Sequence, residues 1–171
     1  MKNFIKLHPV LSYYHLVFTI SWDGGLLEET GWTGFTVPKL RMKYNILSTG
    51  LIVGTLWGIW HFMIAFWATD YLKGTESRIM FVAGFIAFYL LALPAYRVLL
   101  VLVYDRTVSL PIIMIMHAFF SASTLILQPS PTGEIGFVWN LILGIILWMV
   151  VAVIGIKNKL LFQQKPNKKE E

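Results

Sequence analysis

The sequence predicts an all-α protein, a multi-pass transmembrane helical bundle with about five or six membrane segments. Hydrophobic residues make up 57% and charged residues only 13% of the 171 residues, whereas soluble domains average about 25% charged. Four apolar stretches, 46–68, 79–104, 108–127 and 135–156, each provide the ~20 residues that a helix needs to cross a bilayer. The chain has no cysteine, which excludes disulfides, thiolate metal sites and a cysteine nucleophile.

A shorter apolar segment, 7–22, lies near the N-terminus and contains His8 and His15. No small-residue cleavage site follows it, so we predict an uncleaved first helix and not a signal peptide. Residues 157–171 are polar and rich in lysine, and we expect this tail to be frayed. The predicted organisation is therefore a membrane-embedded domain over 1–156 and a polar tail over 157–171.

Residues 24–40 decide between five and six passages through the membrane. If they also traverse much of it, both termini and most basic residues fall on one side, as the positive-inside rule favours. The same rule explains the net charge of +5 without a nucleic-acid site. A segment with Asp23, Glu28 and Glu29 is a poor free-standing transmembrane helix, so it must be sheltered by the other helices.

Ionisable side chains beside a bilayer are costly and mark functional positions. At about 1.5 Å per residue, Glu28 and His61 lie roughly 10 Å below the same membrane face, and His117 lies within a turn or so of that level. We therefore expect three ionisable groups from distant segments to converge. Because Glu28 and Glu29 are about 100° apart on a helix, we expect only one of them to face the histidines.

Small residues recur every four positions at Gly50, Gly54 and Gly58, a pattern that lets helix backbones approach closely. His61 follows on the same face. The stretch 108–127 carries one more polar strip, formed by Pro111, Met114, His117, Ser121 and Thr124. The intramembrane Arg97 is expected to satisfy a backbone kinked at Pro94 or to pair with Asp105 or Asp23.

These residue types point to hydrolysis of an acyl bond in a sheltered site. A carboxylate beside a histidine can hold and deprotonate a water molecule, and a second histidine with a hydroxyl neighbour can donate hydrogen bonds to an oxyanion. Alternatively, one glutamate and two histidines form a possible zinc set with an open fourth position.

The runs EETGWTGFTVPKL, TLWGIWH and YDRTVSLPIIMIMHAFFS resemble the CPBP intramembrane protease family. This family includes the type II CAAX prenyl endopeptidases and the bacterial Abi proteins linked to bacteriocin immunity. Its motifs EExxxR, FxxxH and HxxxN occur here in the family order, and the resemblance covers roughly residues 23–127.

The resemblance implies that Glu28 activates the water with help from His61, and that Glu29 supports the motif helix. It further implies that His117 and Ser121 serve the oxyanion. The substrate would be a membrane-associated peptide or a prenylated protein, the surroundings a lipid bilayer, and the location a bacterial cell membrane. Whether a divalent metal such as zinc takes part stays open.

The sequence departs from the family motifs at three positions. Thr33 replaces the arginine of EExxxR, which removes a cation that would orient the glutamates. Ser121 replaces the asparagine of HxxxN, and Trp57, also aromatic, replaces the phenylalanine of FxxxH. The glutamates also follow the segment 7–22 almost at once, so the chain is expected to be a shortened form.

Three functions remain open at this point. The first is an intramembrane endopeptidase. The second is a non-catalytic relative that acts as an immunity or scaffolding protein, with Thr33 and Ser121 recording lost chemistry. The third is a haem- or ion-handling membrane protein that uses His61 and His117 as ligands.

Overall fold

The computed structural model describes residues 28–68, 78–128, 133–157 and 159–163. Residues 28–41 form one helical segment, hereafter the glutamate segment, in which a π-helix, Thr30–Thr36, leads into α1, Val37–Arg41. The segment 7–22, with His8 and His15, lies outside the described residues. The remaining elements are α2 (Ile46–Ala68), α3 (Arg78–Phe85), a second π-helix (Ile86–Ala92), α4 (Leu93–Thr107), α5 (Leu110–Leu127), α6 (Gly133–Lys157) and a 3-10 turn (Lys159–Phe162).

Four described segments are long and apolar enough to cross a membrane: Ile46–Ala65, Val82–Thr107, Leu110–Leu127 and Gly133–Lys157. They coincide with the four predicted stretches, and the all-α, multi-pass fold is confirmed. The second span runs through α3, the second π-helix and α4 without a break. The glutamate segment is not among the spans, since its fourteen residues reach only about 21 Å of the ~30 Å hydrocarbon core.

The glutamate segment is sheltered by the other helices, as expected. Its buried side chains recur every four residues at Glu29, Thr33, Val37 and Arg41. A spacing of four drifts around an α-helix, but the wider turns of the π-helix offset that drift and keep these residues on one face. Val37 joins a core cluster formed by Ile46, Val53, Val98, Val101, Val151 and Leu161.

The glycine stripe of α2 packs directly on the second span. A Cβ atom at Gly50 would lie 2.6 Å from Val98 Cα, one at Gly54 would lie 2.6 Å from Pro94 Cα, and one at Gly58 would collide with the Tyr89 carbonyl. Real Cβ atoms do not approach that closely, so the prediction that this stripe serves packing is confirmed. The contact also brings Arg97 against α2, because a Cβ at Gly54 would lie 2.9 Å from Arg97 Cβ.

Side chains of α6 satisfy backbone carbonyls of the irregular second span. Asn140 Nδ2 donates to the Gly84 carbonyl at 3.3 Å, and Trp148 Nε1 donates to the Leu91 carbonyl at 3.1 Å. A carbonyl left without a partner in lipid costs several kcal/mol, about the value of a lost hydrogen bond in an apolar medium. These contacts therefore make the π-helical turn compatible with the membrane.

A second buried cluster fixes the far end of the glutamate segment. Arg41 Nε donates to Asp105 Oδ1 at 2.9 Å, and Arg41 Nη1 donates to the carbonyls of Tyr44 at 2.6 Å and Gln163 at 3.5 Å. The expectation of a frayed tail is wrong for the 3-10 turn, because Leu161 is buried in the core. Burial of one leucine side chain contributes about 1.5–3 kcal/mol towards ordering this turn.

The tight contact at Gly54 predicts a large difference between two glycine substitutions. Gly54→Ala forces a methyl group into Pro94 and Arg97, so it should lower the free energy of unfolding by about 1–3 kcal/mol. Gly84→Ala is the control, since its Cβ would meet nothing closer than 3.7 Å. Thermal unfolding in detergent should show a lower midpoint for Gly54→Ala alone. Equal midpoints for the two variants would contradict the packing described here.

Candidate active site

Two glutamate–histidine pairs meet around Trp57. Glu28 and Glu29 begin the glutamate segment, His61 lies one turn beyond Trp57 on α2, and His117 lies on α5. The structure thus brings together four of the five site residues that the sequence predicts. Trp57, one of the three departures from the family motifs, is 2% exposed and contacts members of both pairs.

Glu28 and His61 form the accessible pair. Their side chains are 29% and 28% exposed, and Glu28 Oε1 lies 3.5 Å from His61 Nε2. His61 Nδ1 lies 3.0 Å from the Trp57 carbonyl, which can only accept, so Nδ1 carries a proton and Nε2 is the ring nitrogen that faces Glu28. In the neutral form of the ring this Nε2 is an acceptor, as the carboxylate oxygen is, and a water molecule can donate one hydrogen bond to each.

Glu29 lies in a fully buried network with three donors. Its Oε2 accepts from Arg97 Nη1 at 2.9 Å and from the Thr33 hydroxyl, and its Oε1 lies 2.8 Å from His117 Nδ1. Glu29 and Arg97 are 0% exposed. Because a guanidinium keeps its proton in proteins, Glu29 is held as a carboxylate and His117 Nδ1 is the donor.

Two expectations are wrong. Both glutamates contact a histidine, because the histidines lie on two helices that flank the glutamate segment on different sides. Arg97 pairs with Glu29 and not with Asp105, whose partner is Arg41; Asp23, the other expected partner, lies outside the described residues. The rotation of α4 that places Pro94 under Gly54 also turns Arg97 towards the glutamate segment. A cation therefore does orient a glutamate here, although position 33 is a threonine.

Trp57 joins the two pairs. Its Nε1 donates to Glu28 Oε2 at 2.9 Å, and its ring meets the rings of His61 and His117 edge-on at centroid distances of 5.1 and 5.0 Å. The Arg97 guanidinium lies 4.3 Å from the same ring, within cation–π range. Trp57 therefore fixes the position of Glu28 relative to Glu29.

Ser121 follows His117 by one turn of α5, and its carbonyl accepts from the Thr124 hydroxyl at 2.9 Å. Within residues 28–68, 78–128, 133–157 and 159–163, no hydrogen bond joins the Ser121 hydroxyl to His117. The position of α5 is set instead by Tyr96, a residue that no sequence motif indicated. Its hydroxyl donates to the Met116 carbonyl at 2.7 Å, and its ring stacks on Phe120 at 3.9 Å.

A zinc ion does not fit the donor set of the described residues. No group of three or more histidine, aspartate or glutamate side chains converges among them in a way that could hold a metal. Both oxygens of Glu29 already accept hydrogen bonds, and the guanidinium at 2.9 Å would repel a dication. Glu28 and His61 supply only two ligands, and whether a divalent metal takes part stays open.

Comparison with known proteins assigns the chain to a family. The family model for Rce1-like type II CAAX prenyl endopeptidases matches residues 10–123. The chain belongs to this family. Among curated relatives, it is 23% identical over 141 residues to CAAX prenyl protease 2 of Methanococcus maripaludis, an alignment that covers 81% of this chain and 48% of the relative. The Rce1-like chain thus spans about half the length of that protein, and no solved structure matches it.

The two neighbouring glutamates should respond differently to the same substitution. Glu29→Gln leaves the buried Arg97 without its counter-ion and should cost about 3–5 kcal/mol of stability. Glu28→Gln removes the charge of a half-exposed group and should change stability by less than about 1 kcal/mol. Thermal unfolding of both variants in detergent measures the difference. A midpoint for Glu29→Gln as high as that of Glu28→Gln would contradict the ion pair.

Proposed function

We propose that the chain is an intramembrane endopeptidase that hydrolyses a peptide bond near the prenylated cysteine of a membrane-bound substrate. The observation that carries the proposal is the gap of 3.5 Å between Glu28 Oε1 and His61 Nε2. With His61 in its neutral form, two acceptors face each other there on the accessible side of the site. A water molecule that donates to both is oriented with its lone pair free to attack a carbonyl carbon.

In this mechanism Glu28 is the general base and His61 orients the water. The water oxygen attacks the carbonyl carbon of the scissile bond while its proton passes to Glu28. The resulting tetrahedral intermediate carries its negative charge on the former carbonyl oxygen. When the carbon–nitrogen bond breaks, Glu28 returns the proton to the leaving amine, and the carboxylate is restored.

His117 is the donor to the oxyanion in this proposal. Its Nδ1 donates to Glu29, so its Nε2 is the nitrogen left for the substrate. The Glu29 carboxylate stabilises a protonated His117 ring, as a buried carboxylate does for the histidine of a serine protease. We assign Ser121 a supporting part through its hydroxyl, in place of the asparagine of the family motif.

The substrate class rests on family membership. The chain belongs to the Rce1-like type II CAAX prenyl endopeptidases and is similar to a CAAX prenyl protease, and its four candidate spans are those of a membrane protein. A prenylated protein or a membrane-associated peptide in a lipid bilayer is therefore the proposed partner, and a bacterial cell membrane the proposed location.

A non-catalytic relative, acting in bacteriocin immunity or as a scaffold, is the second candidate. The observation in its favour is Ser121, whose short side chain makes no described hydrogen bond to His117. Thr33 supports a non-catalytic relative less than its place in the motif suggests, because Arg97 supplies a cation to Glu29.

Cleavage of a prenylated CAAX peptide by the chain in liposomes tests the first candidate. Glu28→Gln should lower kcat by about 10²–10⁴-fold, the contribution of a positioned general base, and His61→Ala should also abolish most cleavage. Glu134→Gln, on the exposed first turn of α6, is the matched control and should cleave like the native chain.

Full turnover by both Glu28→Gln and His61→Ala would overturn the proposed mechanism. Absence of cleavage by the native chain, with all variants folded, would favour the non-catalytic candidate.

A further inference from the structure

Two buried arginines differ in how completely their donors are used. The Arg41 guanidinium donates to Asp105 and to two backbone carbonyls. Arg97 donates only through Nη1, to Glu29 and, at 3.3 Å, to the Thr33 hydroxyl. Its Nε and Nη2 are buried and find no partner among the described residues. An unsatisfied buried donor costs about 1–3 kcal/mol, so a contribution to stability alone does not explain why an arginine stands at position 97.

The position of Arg97 relative to the glutamate motif suggests what it does. Its Nη1 lies 3.3 Å from the hydroxyl of Thr33, the residue at which EExxxR carries its arginine. The guanidinium therefore occupies the space that an arginine side chain at position 33 would enter. We propose that Arg97 is a positioning residue that replaces, from α4, the arginine missing at Thr33. The site then holds a single guanidinium, which α4 supplies here and the glutamate segment supplies in the EExxxR motif.

Arg97 acts through its neighbours and not on the substrate. It holds Glu29, which in turn accepts from His117, and it lies on the Trp57 ring that donates to Glu28. Loss of the guanidinium therefore loosens both glutamate–histidine pairs together. The effect of Arg97 on catalysis rests on the proposed function, whereas the replacement of the motif arginine by Arg97 is a property of the fold alone.

The replacement is tested by a stability cycle that needs no activity. Thr33→Arg should lower the unfolding midpoint. Position 33 is only 1% exposed, so the new guanidinium would be a second, uncompensated positive charge buried beside Arg97. Arg97→Ala should also lower it, because Glu29 loses its counter-ion. The double variant Thr33→Arg/Arg97→Ala should be more stable than either single variant. A double variant less stable than both would overturn the replacement.

The positioning role is tested by cleavage of the prenylated peptide at a temperature well below every midpoint. Arg97→Gln should lower kcat at least tenfold with KM changed less than about threefold, since the residue contacts no substrate. Arg97→Lys and the double variant should each recover part of kcat. Arg41→Gln is the matched control, because it breaks another buried ion pair of 2.9 Å away from the reacting groups, and it should retain the native kcat.

The outcomes separate the two proposals. Equal loss of kcat in Arg97→Gln and Arg41→Gln, with no recovery by lysine, would reduce Arg97 to a structural residue. If the native chain cleaves nothing, the proposed function fails while the stability cycle still decides whether Arg97 replaces the missing arginine.

Discussion

Glu29 and Arg97 lie 68 residues apart in the sequence and meet at 2.9 Å with both side chains removed from solvent. Each charge alone would cost several kcal/mol in such a place, so neither segment can hold its position without the other. The pair joins the glutamate segment to α4. Through His117 and Trp57 it also sets where α5 and α2 present their histidines. The geometry of the site therefore depends on this one interaction.

The two adjacent glutamates have different surroundings, and the proposed mechanism gives them different roles. Successive residues on a helix point about 100° apart, so Glu28 faces α2 and the accessible side while Glu29 faces α4 and α5. Glu28 keeps partial access to water, and Glu29 has both oxygens bound by fixed donors. In enzymes with two neighbouring carboxylates, contrasting environments commonly give the two groups different roles.

The close approach of α2 to the second span makes these contacts possible. Glycines at 50, 54 and 58 remove the side chains that would separate the two backbones, and the Arg97 guanidinium lies over the Trp57 ring of α2 where it meets Glu29. The π-helical turns at Thr30–Thr36 and Ile86–Ala92 adjust the register of the facing side chains. Such turns occur often at functional sites.

Periodicity and composition predicted the four spans, the glycine stripe and the shelter of the glutamate segment, because these follow from local spacing and from the cost of polar groups in lipid. The partner of Arg97 was not predictable in the same way. Pairing between helices depends on their relative rotation, and the sequence indicated Asp105 or Asp23 as the partner and not Glu29. The central place of Trp57 likewise arises from packing that only the assembled helices define.

A double-mutant cycle between Glu29 and Arg97 tests the central claim most directly. Unfolding free energies of the native chain, Glu29→Gln, Arg97→Gln and the double variant would be measured by reversible denaturation in mixed micelles. We expect a coupling energy of about 2–3 kcal/mol, the upper part of the range of about 0.5–3 kcal/mol for groups in direct contact. Effects that add to within about 0.5 kcal/mol, as for independent sites, would contradict it.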